Sequence, residues 1–119
     1  KKVKEILYPH NPSSKNYKLW KKYYSGATGL LSIVIKSKKK SSVIKFVNSL
    51  ELFGIGYSWG GFESLAILQE LRSNKKDEYL QGRKFFRFSK DEHIVRLHIG
   101  LEDPKDLIND LKRSLRYIK

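Results

Sequence analysis

The stretch from Leu52 to Leu65, which reads LFGIGYSWGGFESL, constrains the fold of this chain more than any other. It begins with an apolar and aromatic run that predicts a β-strand, formed by Leu52, Phe53, Ile55 and Tyr57. The run ends at Ser58 and Trp59, which are followed by two glycines, Gly60 and Gly61. Paired glycines let the backbone turn sharply or approach another group closely. We therefore expect a strand and a tight turn, with Trp59 as an ordinary core residue unless the turn serves a ligand.

A second strand is expected downstream, where residues 93–100 (HIVRLHIG) alternate in character. Side chains of a strand alternate between its two faces, so three apolar residues share one face and Ile94, Arg96 and His98 share the other. An arginine on a central strand needs a partner, either an internal carboxylate such as Glu63 or Glu102 or a ligand. A glycine turn with a guanidinium nearby suits a small carboxylate ligand. His98 is interpreted as a hydrogen-bonded core histidine rather than a catalyst.

Other segments predict one further strand and two helices. Residues 30–35 (LLSIVI) are a nearly continuous apolar run, typical of a strand buried on both faces. A helix from Ser13 or Ser14 to about Tyr24 should pack its aromatic rings inward, although its lysines and rings could instead bind nucleic acid. A helix from Ser41 or Ser42 to about Leu50 should bury one face, formed by Val43, Phe46, Val47 and Leu50.

The carboxyl-terminal helix is the best marked element. Asp103 suits its N-cap, Pro104 its first position, and Asp106 its first turn. Its expected core stripe consists of Leu107, Ile108, Leu111, Leu115 and Ile118.

Two stretches leave alternatives open. Residues 63–71 (ESLAILQEL) fit either a helix or a short strand at the edge of the sheet, and Phe86 with Phe88 could add a small strand to a charged, irregular segment. Taken together, the segments predict an α+β fold, in which a small, mainly antiparallel sheet has helices packed on one face.

The charge of the chain is uneven. The net charge is +13, and residues 1–50 contain twelve lysines against one acidic residue, Glu5. A basic surface raises the alternative of a nucleic-acid-binding module in the lysine-rich half, although solvated lysine faces are common. Nucleic acid is therefore the less favoured partner.

Several other classes of protein are excluded. There is no cysteine, so disulfides and thiolate chemistry are absent, and no apolar run is long enough to span a bilayer. No histidine or carboxylate pair has metal-ligand spacing, and no phosphate-binding glycine loop precedes a helix. We predict no metal and no complete catalytic set. Because the chain begins with Lys1 and contains no methionine, it is expected to be part of a longer protein.

Ordered motifs from Val3 to Leu115 give a resemblance to a known family. They are YPHNP, SGATGLLSIVIK, LFGIGYSWGGFESL and RLHIGLEDPKDLINDL. Together they resemble the C-terminal domain of the pyridoxal-phosphate-dependent enzymes of Cys/Met metabolism, in particular the cystathionine β-lyase branch. The resemblance implies the small domain of a fold type I enzyme that is cytoplasmic and tetrameric. Such enzymes cleave the C–S bond of L-cystathionine to homocysteine, pyruvate and ammonia.

The resemblance also implies roles for individual residues. Arg96 would bind the substrate α-carboxylate, and Ser58 and Trp59 would line the substrate pocket with Tyr57 beside them. Trp59 together with His98 points toward the β-lyase branch rather than the γ branches.

The cofactor region of that family is not recognisable in this chain. The Schiff-base lysine and the residues that hold pyridoxal phosphate lie upstream of the matching motifs, so no catalytic or cofactor-binding residue is expected here. The full-length enzyme would bind the cofactor, whereas residues 1–119 alone are expected to be an inactive fragment without a cofactor absorbance band. A non-functional remnant is a further alternative.

Overall fold

The computed structural model describes residues 2–69 and 88–119, which contain a five-stranded sheet. Its strands, in chain order, are β1 (Val3–Leu7), β2 (Leu30–Lys36), β3 (Gly54–Ile55), β4 (Leu65–Gln69) and β5 (Glu92–His98). The spatial order is β1-β2-β5-β4-β3. Every neighbouring pair is antiparallel except β3 and β4, which are parallel. The prediction of a mainly antiparallel sheet is confirmed.

Three helices accompany the sheet within these two ranges: α1 (Tyr17–Tyr23), α2 (Lys40–Asn48) and α3 (Pro104–Ser114), the last followed by a 3-10 turn at Leu115–Tyr117. The core lies between α2, α3 and one face of the sheet. Its buried members include Ile33, Ile35, Val43, Phe46, Val47, Leu50, Val95, Leu97 and Leu107. The α+β fold with helices over one face is therefore confirmed. No helix in the two described ranges is long and apolar enough to cross a bilayer.

The strand predicted from Leu52 to Tyr57 is wrong in its extent, because β3 contains only two residues. The backbone N–H groups of Glu51 and Leu52 donate to the buried carboxylate of Asp110 on α3, at 2.8–3.1 Å, and not to a strand. The Tyr57 carbonyl accepts from a side chain. Side chains thus satisfy backbone groups that a longer strand would have paired.

Helix α1 is shorter than predicted and does not pack its rings inward. None of its residues is buried, and Leu19 and Tyr23 remain 58% and 64% exposed. Residues 8–16 form successive turns, so the helix begins at Tyr17. Trp20 instead contacts the ring of His10, with 4.3 Å between centroids. A helix of two turns cannot bury several large rings unless it packs against the sheet.

The segment left open between helix and strand contains β4, which lies between β5 and β3 rather than at the edge. Its helical propensity is overridden by pairing with β5 along five residues. The sequence also allows a small strand containing Phe86 and Phe88. Phe88 is not in a strand, and Phe86 lies outside the described residues.

The carboxyl-terminal helix matches its prediction at its start. The Asp103 carboxylate accepts from the Lys105 N–H at 2.7 Å, and Pro104 is the first helical residue. The stripe is wrong at one position, because Ile108 is 48% exposed.

Candidate functional site

The candidate site lies where β5 passes beneath the bend formed by residues 57–61. Arg96 is in the middle of β5, paired with Ser32 of β2 on one side and Ile67 of β4 on the other. Both neighbouring strands are hydrogen-bonded to β5, so the backbone that carries the guanidinium is held at the centre of the sheet. The side chain itself is half-buried.

The Arg96 guanidinium contacts the bend directly. Its Nη2 group donates to the carbonyl oxygen of Tyr57 and, at 3.4 Å, to that of Ser58. Its Cζ atom lies 5.6 Å from the ring centroid of Tyr57 and 5.8 Å from that of Trp59, within the range of cation–π attraction. The four residues that the resemblance singled out are thus adjacent, with Ser58 contributing its backbone carbonyl.

Arg96 retains hydrogen-bonding capacity. A guanidinium carries five N–H donors, and within residues 2–69 and 88–119 the Nη1 and Nε groups of Arg96 have no hydrogen-bond partner. The alternative of an internal ion pair with Glu63 or Glu102 is not observed in these ranges. The site therefore offers a positive group with unused donors to an incoming anion.

Three aromatic rings of residues 57–62 are presented to solvent, and two of them, Tyr57 and Trp59, lie next to Arg96. Tyr57, Trp59 and Phe62 are 66%, 65% and 70% exposed. The interpretation of Trp59 as a core residue is therefore wrong, because the bend carries the indole away from the core. Large exposed rings beside a cation form a surface suited to binding rather than to holding the fold together.

His98, two residues beyond Arg96 on the same strand, is buried beneath the glycines of the bend. Its Nε2 atom is 3.0 Å from the Gly61 carbonyl oxygen, and its Nδ1 atom accepts from the Gly60 N–H at 3.5 Å. The interpretation of His98 as a hydrogen-bonded buried histidine agrees with these contacts.

A second set of contacts fixes Ser64, three residues after the bend, to the loop after β5. Ser64 is fully buried, and the Glu102 carboxylate accepts from its N–H at 2.9 Å and from its hydroxyl at 2.7 Å. The Gly100 N–H donates to the Ser64 Oγ at 2.9 Å. The N–H of Ser64, and then its hydroxyl, hold the pKa of Glu102 below the ordinary value of 4.5.

This lowered pKa predicts acid lability of the bend. The stabilisation by ionised Glu102 is fully present above the ordinary pKa of 4.5 and is lost as pH falls through the lower pKa of the folded state. We therefore expect the free energy of unfolding, measured by urea denaturation, to decrease less between neutral and acid pH in Glu102→Gln than in the wild type.

The control for this experiment is Glu63→Gln, which removes an exposed carboxylate from the same turn. It should keep the wild-type decrease. Glu92, whose pKa is lowered first by the Lys4 ammonium and then by the Ser89 N–H, contributes with the same sign in every variant. Equal acid slopes for Glu102→Gln and the wild type would contradict the assigned role of Glu102.

Sequence reasoning missed two anchoring groups, Asp110 and Ser64. Asp110 lies on α3, and its carboxylate accepts from the backbone of residues 51 and 52 and from Arg113 at 2.6 Å. Ser64 binds Glu102 across 38 residues of sequence. Neither residue lay at a position that the sequence pattern assigned to the interior, so the sequence carried no signal for either.

The described residues of the candidate site do not fit pyridoxal phosphate, the cofactor that the resemblance implies. The hydrogen bonds, ion pairs and ring contacts described for Arg96, His98, Tyr57 and Trp59 include no lysine. Each of the three helices begins without a glycine loop ahead of it. Within the described part of the chain, no cluster of acidic residues and histidines could hold a metal ion. The site can therefore bind and orient an anion, and no reaction step is assigned to it alone.

Comparison with known proteins identifies the family of this chain. A family model described as "Cys/Met metabolism PLP-dependent enzyme" matches residues 1–116. A cystathionine beta-lyase of Bordetella avium is 40% identical over 113 residues, which cover 95% of this chain and 26% of that protein. An L-alanine/L-glutamate racemase of Wolbachia pipientis wMel is 36% identical over 115 residues, which cover 96% of this chain and 27% of that protein.

A solved structure shows the same fold. It is the cystathionine gamma synthase of Xanthomonas oryzae pv. oryzae in complex with cystathionine, with a TM-score of 0.73 and 23% identity. The match covers 97% of this chain and 29% of that one. The chain thus spans about a quarter of the length of the curated relatives that it matches.

Proposed function

Because the chain belongs to the Cys/Met metabolism PLP-dependent enzyme family, we propose that residues 1–119 are the C-terminal substrate-binding domain of a cystathionine β-lyase-like enzyme. In the complete enzyme, Arg96 binds the α-carboxylate of the amino-acid substrate. Tyr57, Ser58 and Trp59 form the adjoining wall. Pyridoxal phosphate, held by residues outside this chain, supplies the electron sink for C–S cleavage. The complete enzyme is proposed to be a cytoplasmic homotetramer that converts L-cystathionine to homocysteine, pyruvate and ammonia.

The observation that supports this proposal is the hydrogen bonding of the Arg96 guanidinium. Its guanidinium is fixed at one edge by two backbone carbonyls, while two donor groups lack a partner in the described part of the chain. Carboxylates are the planar anions that a guanidinium recognises best. The exposed rings next to it would be covered once the cofactor-binding part of the enzyme closes the pocket.

A chimeric enzyme tests the proposal. The 119-residue chain would replace the matching segment of the Bordetella avium cystathionine beta-lyase, with which it is 40% identical. We expect the purified chimera to bind pyridoxal phosphate, seen by its absorbance band, and to release pyruvate from L-cystathionine. The 119-residue chain alone should show neither property. A chimera that shows the band but does not cleave cystathionine would contradict the proposed reaction.

The same chimera separates the reaction from others in the family. A relative that is 36% identical is named as an L-alanine/L-glutamate racemase, and a carboxylate anchor serves racemisation as well as elimination. Incubation with L-alanine, followed by chiral analysis, would detect this activity. Racemisation of L-alanine without release of pyruvate would support the proposed carboxylate-binding site. It would contradict cystathionine as the substrate.

A basic nucleic-acid-binding module is the second candidate function, and the exposure of α1 favours it. Leu19 and Tyr23 on α1 and Tyr24 directly after it are exposed, and the last turn of the helix carries two lysines. A cavity of about 540 Å³ lies among these aromatic rings, where bases could stack while lysines contact phosphates. Tight binding of a random single-stranded oligonucleotide that weakens steeply with salt would support this function. Weak binding at physiological salt would dismiss it.

A further inference from the structure

The bend that carries Trp59 has little packing of its own. Gly60 has a positive φ of 78°, and a Cβ atom built on Gly60 or Gly61 would meet nothing within 4 Å. Trp59 itself is 65% exposed. Something other than core contacts must therefore hold the indole next to Arg96, because an exposed glycine segment has many accessible conformations.

The imidazole of His98 supplies that restraint through both ring nitrogens. A backbone N–H can only donate, so the Gly60 N–H at 3.5 Å makes Nδ1 the acceptor. The proton is then on Nε2, which donates to the Gly61 carbonyl at 3.0 Å. With its ring nitrogens in these roles, His98 satisfies one donor and one acceptor of two consecutive glycines.

His98 is itself firmly positioned. It is the last residue of β5, paired with Leu30 on one side and Leu65 on the other, and it is buried. Arg96 lies two residues before it on the same face of the same strand. The two side chains contact successive parts of the bend, Arg96 at residues 57 and 58 and His98 at residues 60 and 61.

From this arrangement we infer that His98 is a positioning residue that fixes the glycine bend, so that the Trp59 indole is held over the Arg96 guanidinium. Trp59 is the only residue of the bend between the two anchored pairs. The position of its ring therefore depends on the contacts of both pairs. The significance of this for substrate binding rests on the proposed function, whereas the restraint on the bend is a property of the chain itself.

Amide hydrogen exchange of the Gly60 N–H, measured by NMR on the 119-residue chain, tests the inference. In the wild type, this amide should be protected. His98→Leu, which fills the space without an acceptor, should lower its protection by about two- to tenfold, the equivalent of one neutral hydrogen bond. His98→Asn, whose carbonyl oxygen can take the place of Nδ1, should retain most of the protection.

His93→Leu is the matched control, because His93 lies on the same strand but contacts the Ser37 carbonyl at 3.1 Å instead of the bend. It should leave the Gly60 amide unchanged. In a Trp20→Phe background, the fluorescence anisotropy of Trp59 should fall in His98→Leu and stay high in His98→Asn. Core amides such as that of Val95 report whether each variant is folded.

The outcomes are decisive even if a variant fails to fold. Unprotected exchange of Gly60 in the wild type would overturn the inference, and so would equal protection in a folded His98→Leu. If His98→Leu unfolds, the inference is tested by the protection of the Gly60 amide in the wild type and in His98→Asn. An inactive chimera would count against the proposed function only, because these measurements require neither cofactor nor turnover.

Discussion

Replacing Arg96 with alanine in the chimera should lower kcat/KM for L-cystathionine by roughly 30- to 5000-fold, which corresponds to about 2–5 kcal/mol of transition-state binding. The loss is large because the substrate carboxylate would be left in a partly desolvated site without its charge partner. The guanidinium also donates to the carbonyls of residues 57 and 58, so the bend loses one of its supports. The measurement is steady-state pyruvate release by variants that retain the cofactor absorbance band.

Two controls separate recognition of the carboxylate by the planar guanidinium from the effect of a positive charge alone. Arg96→Lys keeps the positive charge but lacks the planar fork, so it should recover only part of the activity. Arg116→Ala removes a different arginine, whose described contacts are with its neighbour Tyr117, and should leave kcat/KM unchanged. An Arg96→Ala chimera with wild-type kcat/KM would remove Arg96 from the site.

Replacing Gly100 with alanine should destabilise the chain by about 3 kcal/mol, as overpacking at a site without room to relax does. A Cβ atom at Gly100 would lie 2.1 Å from the carbonyl oxygen of Phe62 and 2.6 Å from the carbonyl carbon of Glu63. Both are backbone atoms of the segment directly after the bend, and the Leu101 N–H donates to the same Phe62 carbonyl at 2.8 Å. Residues 62 and 63 would have to move away from the loop after β5 to admit one methyl group.

The free energy of unfolding, measured by urea denaturation, checks this prediction. Gly26→Ala is the matched control, since a Cβ atom there would meet nothing within 4 Å. It should change the stability by no more than about 0.5 kcal/mol. Equal stabilities for Gly100→Ala and Gly26→Ala would contradict the close approach of residues 62 and 63 to the loop after β5.

Much of the fold could be predicted from local pattern. The alternation in residues 93–100 predicted β5 and placed Arg96 and His98 on one face, and Asp103 with Pro104 marked the start of α3. The pattern failed where distant side chains replaced backbone pairing, as Asp110 does at residues 51 and 52. It also failed at α1, where the spacing of the rings suggested burial but none of the residues of the helix is buried.

The site could be predicted only in part. Motif resemblance brought Arg96 and the residues 57–59 into one prediction, and the structure places them in contact. Their role toward substrate stays a prediction. The supports of the bend, His98 and the Ser64–Glu102 pair, join residues 36–38 positions apart, and no local periodicity encodes such a contact.

The most direct test of the carboxylate role of Arg96 compares two ligands that differ only in that group. S-methyl-L-cysteine and its decarboxylated counterpart, 2-(methylthio)ethylamine, would compete with L-cystathionine in the chimera and in its Arg96→Ala variant. If Arg96 binds the carboxylate, the chimera should prefer the amino acid by about tenfold or more, and the variant should lose that preference. An undiminished preference in Arg96→Ala would show that another group binds the carboxylate.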